Sequence, residues 1–346
     1  MRWKRNLGSL DFSKFSNILL EDEDGDIQPK SEPYFKSKLI APGTWQVLSD
    51  GDYTYVVEGD DEIIVIDSGL GAGSIREFCQ TLSDKPLYRI LNTHSHFDHT
   101  ANNYQFDAIY MSEKCYENRC RPFEDFEGIV IPDDYPVVFL QNGDVINLKG
   151  RGLEVYSIEE HSRGSLQFLD RKEGILFCGD EINGNFFDSR ISVEHSLNNV
   201  KRWMEFRADY DLLCAGNGIH DASYVDKYYA TLEYILDGHE NEGEEFYIPY
   251  EDPRASISSK DGKPVYVRRS PNMDMLTEPL KTLGFEKHLE LNGGRGCFCF
   301  TRKLDPSGIY DRQLEMNGCR VCYYLDRIWT AQSNYKDGYD ILDVLK

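Results

Sequence analysis

Thr93-His94-Ser95-His96-Phe97-Asp98-His99 places three imidazoles and a carboxylate within consecutive positions. The whole chain holds 8 histidines in 346 residues, so three in one run is a concentration that chemistry must explain. The residues before it, Tyr88-Arg89-Ile90-Leu91-Asn92, read as a short buried strand, which puts the run on a loop at the carboxyl end of a sheet. In an extended segment side chains two apart point the same way, so His94 and His96 can chelate one cation. Asp98 and His99, from the turn that follows, can reach a second cation beside it. Imidazole with carboxylate suits zinc, iron or manganese.

Four further stretches carry the same chemistry. Ile158-Glu159-Glu160-His161-Ser162-Arg163-Gly164-Ser165 sets His161 between two strand-like runs. Gly174-Ile175-Leu176-Phe177-Cys178-Gly179-Asp180 is a hydrophobic strand that delivers one carboxylate at a sheet edge, and Glu62-Ile63-Ile64-Val65-Ile66-Asp67-Ser68-Gly69 is another strand ending in Asp-x-Gly. Tyr210-Asp211-Leu212-Leu213-Cys214 leads into Ala215-Gly216-Asn217-Gly218-Ile219-His220. His195, His239 and His288 join no such pattern and read as ordinary surface or packing residues.

In order and context these motifs resemble the metallo-β-lactamase superfamily, the αββα metallohydrolases, across residues 39–236. The resemblance implies an α/β fold, a four-layer αββα sandwich. It implies that His94, His96 and His161 hold a first metal, that Asp98, His99 and His220 hold a second, and that Asp180 bridges them. Asp67 would support the metal loop from behind, where such partners orient ligand histidines and set their tautomers. This chain departs from the family pattern twice. Glu159-Glu160 replaces Pro-Gly before His161, near the metal mouth with Arg163 to offset their charge. Asn217 stands between two glycines where the final histidine is expected. His220 is taken as the ligand through a longer loop; Asn217 as a weak oxygen ligand, or an incomplete second site, is the alternative.

The implied cofactors are two divalent ions, zinc first, with iron or manganese as alternatives. The implied activity is that of a metal-dependent hydrolase that cleaves an ester, lactone or thioester with a metal-bridging hydroxide, because a bound water loses its proton near pH ~7. Asp98 would pass a proton to the leaving group. Asp180 points to the glyoxalase-II-like, lactonase and phosphodiesterase branches. A mononuclear iron oxidoreductase of the sulfur dioxygenase type and a non-catalytic member of the fold stay open as alternatives.

Composition narrows the partners. A formal net charge of −22 opposes binding to nucleic acid, which needs clustered Lys and Arg to release counterions, and favours a small-molecule substrate. No apolar run approaches the ~18–20 residues of a membrane helix. Met1-Arg2-Trp3-Lys4-Arg5 is not followed by an apolar stretch, so a secretory signal is not expected and a cytoplasmic location is. The 9 cysteines then read as reduced thiols. Cys297-Phe298-Cys299 and Cys319-Arg320-Val321-Cys322 read as strand residues in preference to a zinc site. Residues 1–36 form an N-terminal arm, 37–245 the catalytic domain, and 246–346 a C-terminal region of accessory strands or a small subdomain that can supply substrate or homodimer contacts. Arg121 to Gln141, proline-rich and without periodicity, reads as a loop that covers the pocket.

Overall fold

The computed structural model describes residues 35–49, 52–69, 74–118, 135–189, 191–245 and 311–332, together with the backbone of six short strands between residues 2 and 29 and between 265 and 302. A seven-stranded sheet comprises β1 (Phe35–Ala41), β2 (Thr44–Ser49), β3 (Asp52–Glu58), β4 (Ile63–Ile66), β5 (Leu87–Leu91), β6 (Ala108–Met111) and β7 (Val137–Phe139). Its spatial order is β7-β6-β5-β4-β3-β2-β1. Strands β1 to β4 pair antiparallel and β4 to β7 parallel. Every residue of β4 is buried, as a central strand covered on both faces requires. The edge strand β7 falls in the stretch read as a proline-rich loop; its three residues were too few to show a period. Residues 121–134 of that loop, and residues 275–283, where the sequence suggests a helix, lie outside the described residues.

The second sheet contains β8 (Val145–Asn147), β9 (Gly152–Tyr156), β10 (Gln167–Asp170) and β11 (Ile175–Gly179). After β12 (Phe186–Asp188), which joins another sheet, it is completed by β13 (Leu212–Ala215) and β14 (Gly218–Asp221). The helices are α1 (Ile75–Gln80), α2 (Phe97–Thr100), α3 (Glu113–Asn118), α4 (Val193–Met204) and α5 (Ser223–Tyr234). Helix α4 starts earlier than its apolar spacing suggests: Ser192 caps it by accepting from His195 N at 3.0 Å, so His195 lies in its first turn.

Three clusters of buried side chains define four layers. Tyr55, Ile64, Ile66, Leu91, Leu153, Phe168 and Phe177 fill the space between the sheets. Ile63, Val65, Ile90 and Ile109 face the other way, onto Ile75 and Cys79 of α1 and Cys115 of α3. Leu176 and Leu213 face Val200 and Trp203 of α4 and Tyr228 and Leu232 of α5. The αββα architecture follows from this alternation along each strand.

A C-terminal hairpin enters the last of these layers. β16 (Asp311–Met316) and β17 (Cys319–Tyr324) turn at Asn317-Gly318, both at positive φ, and β17 pairs in parallel with β12 while β15 (Glu244–Glu245) pairs with β16. Cys319, Val321 and Tyr323 are buried against the α4–α5 layer. Cys297 and Cys299 fall on a backbone strand, Arg295–Arg302, as their sequence context suggests. The six cysteines described with side chains are buried and form no disulfide, and burial pushes the Cys79, Cys115, Cys178, Cys214 and Cys319 thiols up. Among the described residues no helix is long and apolar enough to cross a membrane.

One buried ion pair ties the two sheets at one end. Arg151 Nε donates to Asp170 Oδ2 at 2.7 Å, and Arg151 also donates to the carbonyls of Pro42 and Gly43 at 3.1 and 2.9 Å. Asp170 pairs with Ile175, the first residue of β11, whereas Asp180 follows the last. The clamp therefore sits at the opposite end of the sandwich from Asp180.

Candidate metal centre

The site forms where β4, β5 and β11 end. β4 is followed by Asp67, whose backbone adopts the left-handed conformation, φ 61°, and which is 3% exposed. Asp67 Oδ1 accepts from Thr93 N at 2.8 Å, and Oδ2 accepts from Thr93 Oγ1 at 2.7 Å and from His99 Nδ1 at 2.8 Å. The Thr93 hydroxyl has one proton, and the carboxylate takes it. Thr93 Oγ1 is then the acceptor for His94 Nδ1, 3.0 Å away. In their neutral forms both imidazoles thus carry their proton on Nδ1, and in each Nε2 keeps its lone pair.

The His94–His96 segment is bent instead of extended, with α2 beginning at Phe97, yet the two rings still meet edge to face with centroids 4.6 Å apart. His161 completes a group of three. Its ring centroid lies 5.0 Å from that of His94 and 4.7 Å from that of His96, and His161 Nε2 is 2.9 Å from His96 Nδ1. A second group, sharing His94, contains His99 and Asp180; in each group the candidate donor atoms lie within 4.8 Å of one another. Asp180 faces both, with Oδ1 3.4 Å from His99 Nε2 and Oδ2 3.7 Å from His161 Nε2.

These residues fit a divalent cation on their own terms. His99 Nε2 is buried and makes no hydrogen bond; its contact with Asp180 is an ion-pair distance. A buried polar atom without a partner costs about 1–3 kcal/mol, and a cation between imidazole and carboxylate removes that cost. Burial opposes charge on His99, but the Asp180, Asp67 and Asp98 carboxylates outweigh it and hold its pKa well above the ordinary value. The same field would stabilise a metal ion.

Asp98 is partly buried, on α2, and joins neither group of donors. His220 stands apart. No longer loop precedes it: β13 and β14 are joined by a tight turn, and His220 lies within β14, paired with Leu213. Its Nε2 donates to Asn217 Oδ1 at 2.7 Å, and burial lowers its pKa. Asn217 is exposed, and its Nδ2 donates to Asn183 O at 3.4 Å. The turn reaches the centre through Gly216 instead, where an added Cβ would lie 2.1 Å from Asp180 Oδ1 and 2.8 Å from His99 Cε1.

Several residues that shape the centre have no motif to announce them. Glu181 is buried and turns its carboxylate on the loop that carries His161, accepting from Glu160 N and His161 N at 2.8 Å and from Ser162 N at 3.3 Å. Burial pushes this carboxyl up to about 8, against the pull of those N–H groups. The Asp-Glu pair after β11 was the available signal. Asn92 Nδ2, Ser68 N and Ser68 Oγ all donate to His99 O, fixing α2 from below. Glu160 does not face the metal mouth: it is buried against α4, accepting from Ser196 Oγ at 2.7 Å and Asn199 Nδ2 at 2.8 Å. Glu159 takes Lys114 as its partner at 2.9 Å.

Comparison with known proteins agrees with this architecture. The sequence model of the metallo-beta-lactamase superfamily matches residues 50–235. The acyl-coenzyme A thioesterase MBLAC2 of Homo sapiens is 35% identical over 175 residues, 40% of this chain and 62% of that protein. A hydroxyacylglutathione hydrolase of Aeromonas salmonicida (strain A449) is 28% identical over 131 residues, covering 38% of this chain and 46% of that protein. The chain thus spans about three fifths or less of the length of these relatives. Among solved structures, a metallo-beta-lactamase of Cronobacter sakazakii with a HARLDQ motif aligns with 16% identity and a TM-score of 0.46, covering 60% of this chain and 94% of that one. The family match covers more than half of the sequence and every strand end that builds the centre, and the chain belongs to the metallo-beta-lactamase superfamily.

Proposed function

We propose that this chain is a metal-dependent hydrolase of thioesters. The observation that carries the reading is the convergence of His94, His96 and His161, with His99 and Asp180 beside them, at one end of the sandwich. The thioester class is supported by the relatives, whose names describe an acyl-coenzyme A thioesterase and a hydroxyacylglutathione hydrolase, both acting on acyl groups carried by sulfur.

In this reading His94, His96 and His161 hold one divalent ion, zinc by donor type, and Asp180 reaches from it toward His99. A bound divalent ion supplies hydroxide near neutral pH and polarises the acyl carbonyl. The protein's own part is to prepare the donors. Asp67 and Thr93 keep the protons of His99 and His94 on Nδ1. Glu181 holds the peptide that presents His161. In this reading Asp98 moves a proton toward the departing thiol.

The test is a panel of acyl-coenzyme A and acyl-glutathione substrates, with thiol release followed by a chromogenic reagent. Expected are turnover, its loss on chelation and its return with zinc. No thiol release from any acyl thioester by the metal-loaded protein would overturn the thioester assignment. Retained iron with thiol-dependent oxygen uptake would replace it with oxidoreductase chemistry.

A further inference from the structure

We propose that the metal centre is unequal by construction. His94, His96 and His161 form a tight position; His99 and Asp180 form a weaker, oxygen-rich one that His220 does not complete. The inference rests on the metal-hydrolase reading only in requiring that a metal bind here.

Donor counting comes first. The two groups of converging donors share His94. Its Nδ1 is engaged with Thr93 Oγ1 at 3.0 Å, so His94 has one nitrogen, Nε2, to offer, and one ion takes it. Assigned to the three-imidazole group, it leaves the second group with His99 Nε2 and the Asp180 carboxylate. Asp98, partly buried next to His99, adds oxygen and no imidazole. Fewer nitrogen donors and more carboxylate and water favour weaker binding of zinc and more tolerance of harder ions.

The direction of His220 comes second. In a strand, successive side chains face opposite sides of the sheet, and paired residues of neighbouring strands share a side. Cys214 and Ile219 are paired, and both pack between the sheets. Leu213 and His220 are paired, and Leu213 packs in the α4–α5 layer. His220 therefore faces the helices. Its ring lies 6.2 Å from that of Tyr224 on α5, and it presses on Gly184, where an added Cβ would come within 2.4 Å of His220 Cε1. Gly184 has φ 68°, which suits a residue without a side chain.

His220 has a different task. Its Nε2 donates to Asn217 Oδ1, Asn217 Nδ2 donates to Asn183 O, and Asn183 Nδ2 donates to Asp180 O at 3.2 Å. This chain runs from β14 to the backbone of the metal-facing Asp180.

The test is zinc binding to the full chain after removal of metal, followed by calorimetric titration and by elemental analysis after dialysis against a chelator. Expected is one ion retained on dialysis and a second bound at least ~10-fold more weakly, since loss of even an outer partner costs ~10–100-fold in metal affinity. His220→Ala and His220→Gln keep both ions, with the tight affinity unchanged. His99→Ala removes the weak ion and leaves the tight one; thermal melts of all three variants check that they fold. Two ions of equal affinity in the wild type, or loss of one ion in folded His220→Gln, overturns the inequality and leaves the hydrolase reading standing. A chain that binds no zinc in any form overturns both.

Discussion

Replacing Asp67 by Asn tests the tautomer argument at one atom. Asn tolerates the left-handed backbone better than other side chains, so φ 61° at this position adds little strain. The amide oxygen can still accept from Thr93 N, as Oδ1 does at 2.8 Å. The amide nitrogen, standing in for Oδ2, can donate to Thr93 Oγ1 but now faces His99 Nδ1 at 2.8 Å, donor against donor. His99 escapes by moving its proton to Nε2, where Asp180 Oδ1 is 3.4 Å away and ready to accept. The lone pair aimed at the metal is then gone. One exchanged hydrogen bond costs the fold about 1 kcal/mol. The metal effect is larger: a lost outer partner costs ~10–100-fold in affinity, and a wrong tautomer belongs at the upper end of that range. Nitrogen-15 NMR of the histidine rings would follow the proton, and zinc titration the affinity. A His99 that keeps its proton on Nδ1 in Asp67→Asn, or a second ion bound with wild-type affinity, would refute the reasoning.

Three further outcomes follow from the same structure. Glu181→Ala leaves the N–H groups of Glu160, His161 and Ser162 without their acceptor; at ~1–3 kcal/mol per buried orphan it lowers the unfolding free energy by at least ~2 kcal/mol in a denaturant titration, with Glu181→Gln recovering part. Asp170→Ala strands the Arg151 guanidinium and costs ~3–5 kcal/mol by the same assay, while zinc affinity stays at wild type because the clamp lies at the far end of the sandwich. His220 titrates in the fold below its ordinary value of about 6.5, so its neutral form stabilises the protein fully above that pH and the contribution is lost as pH falls from there through the folded value. The melting temperature of the wild type should therefore fall more steeply than that of His220→Gln between pH ~7 and pH ~5; parallel curves would refute the assignment.

The parts of the fold legible in the sequence are those where one physical demand dominates several neighbours. Ile63-Ile64-Val65-Ile66 is apolar on both faces because it is the centre of a covered sheet. His94, His96 and His99 share one run because cations need donors that converge. What was illegible depends on partners distant in the chain. Whether His220 faces the metal or the helices is decided by its register with Leu213, and a shift of one residue would reverse it. Glu160 looked like a charge at the mouth, but Ser196 and Asn199, one helical turn apart on α4, draw it inward. Glu181 carries no motif because any acceptor at the end of β11 can hold the His161 loop.

The C-terminal hairpin has a consequence for how the protein is made. Cys319, Val321 and Tyr323 pack in the same apolar layer as Trp203 and Tyr228, so the part of the α4–α5 layer that the hairpin covers stays open until residues far along the chain have been synthesised. Translation adds ~5–20 residues per second, which leaves that face exposed for several seconds on the ribosome. A truncated product ending near residue 245 would carry every donor of the metal centre and still present this surface to its neighbours. Nonsense or frameshift lesions between codons 246 and 318 should therefore be recognised by chaperones and proteases as failures of folding, although they remove no donor of the metal centre.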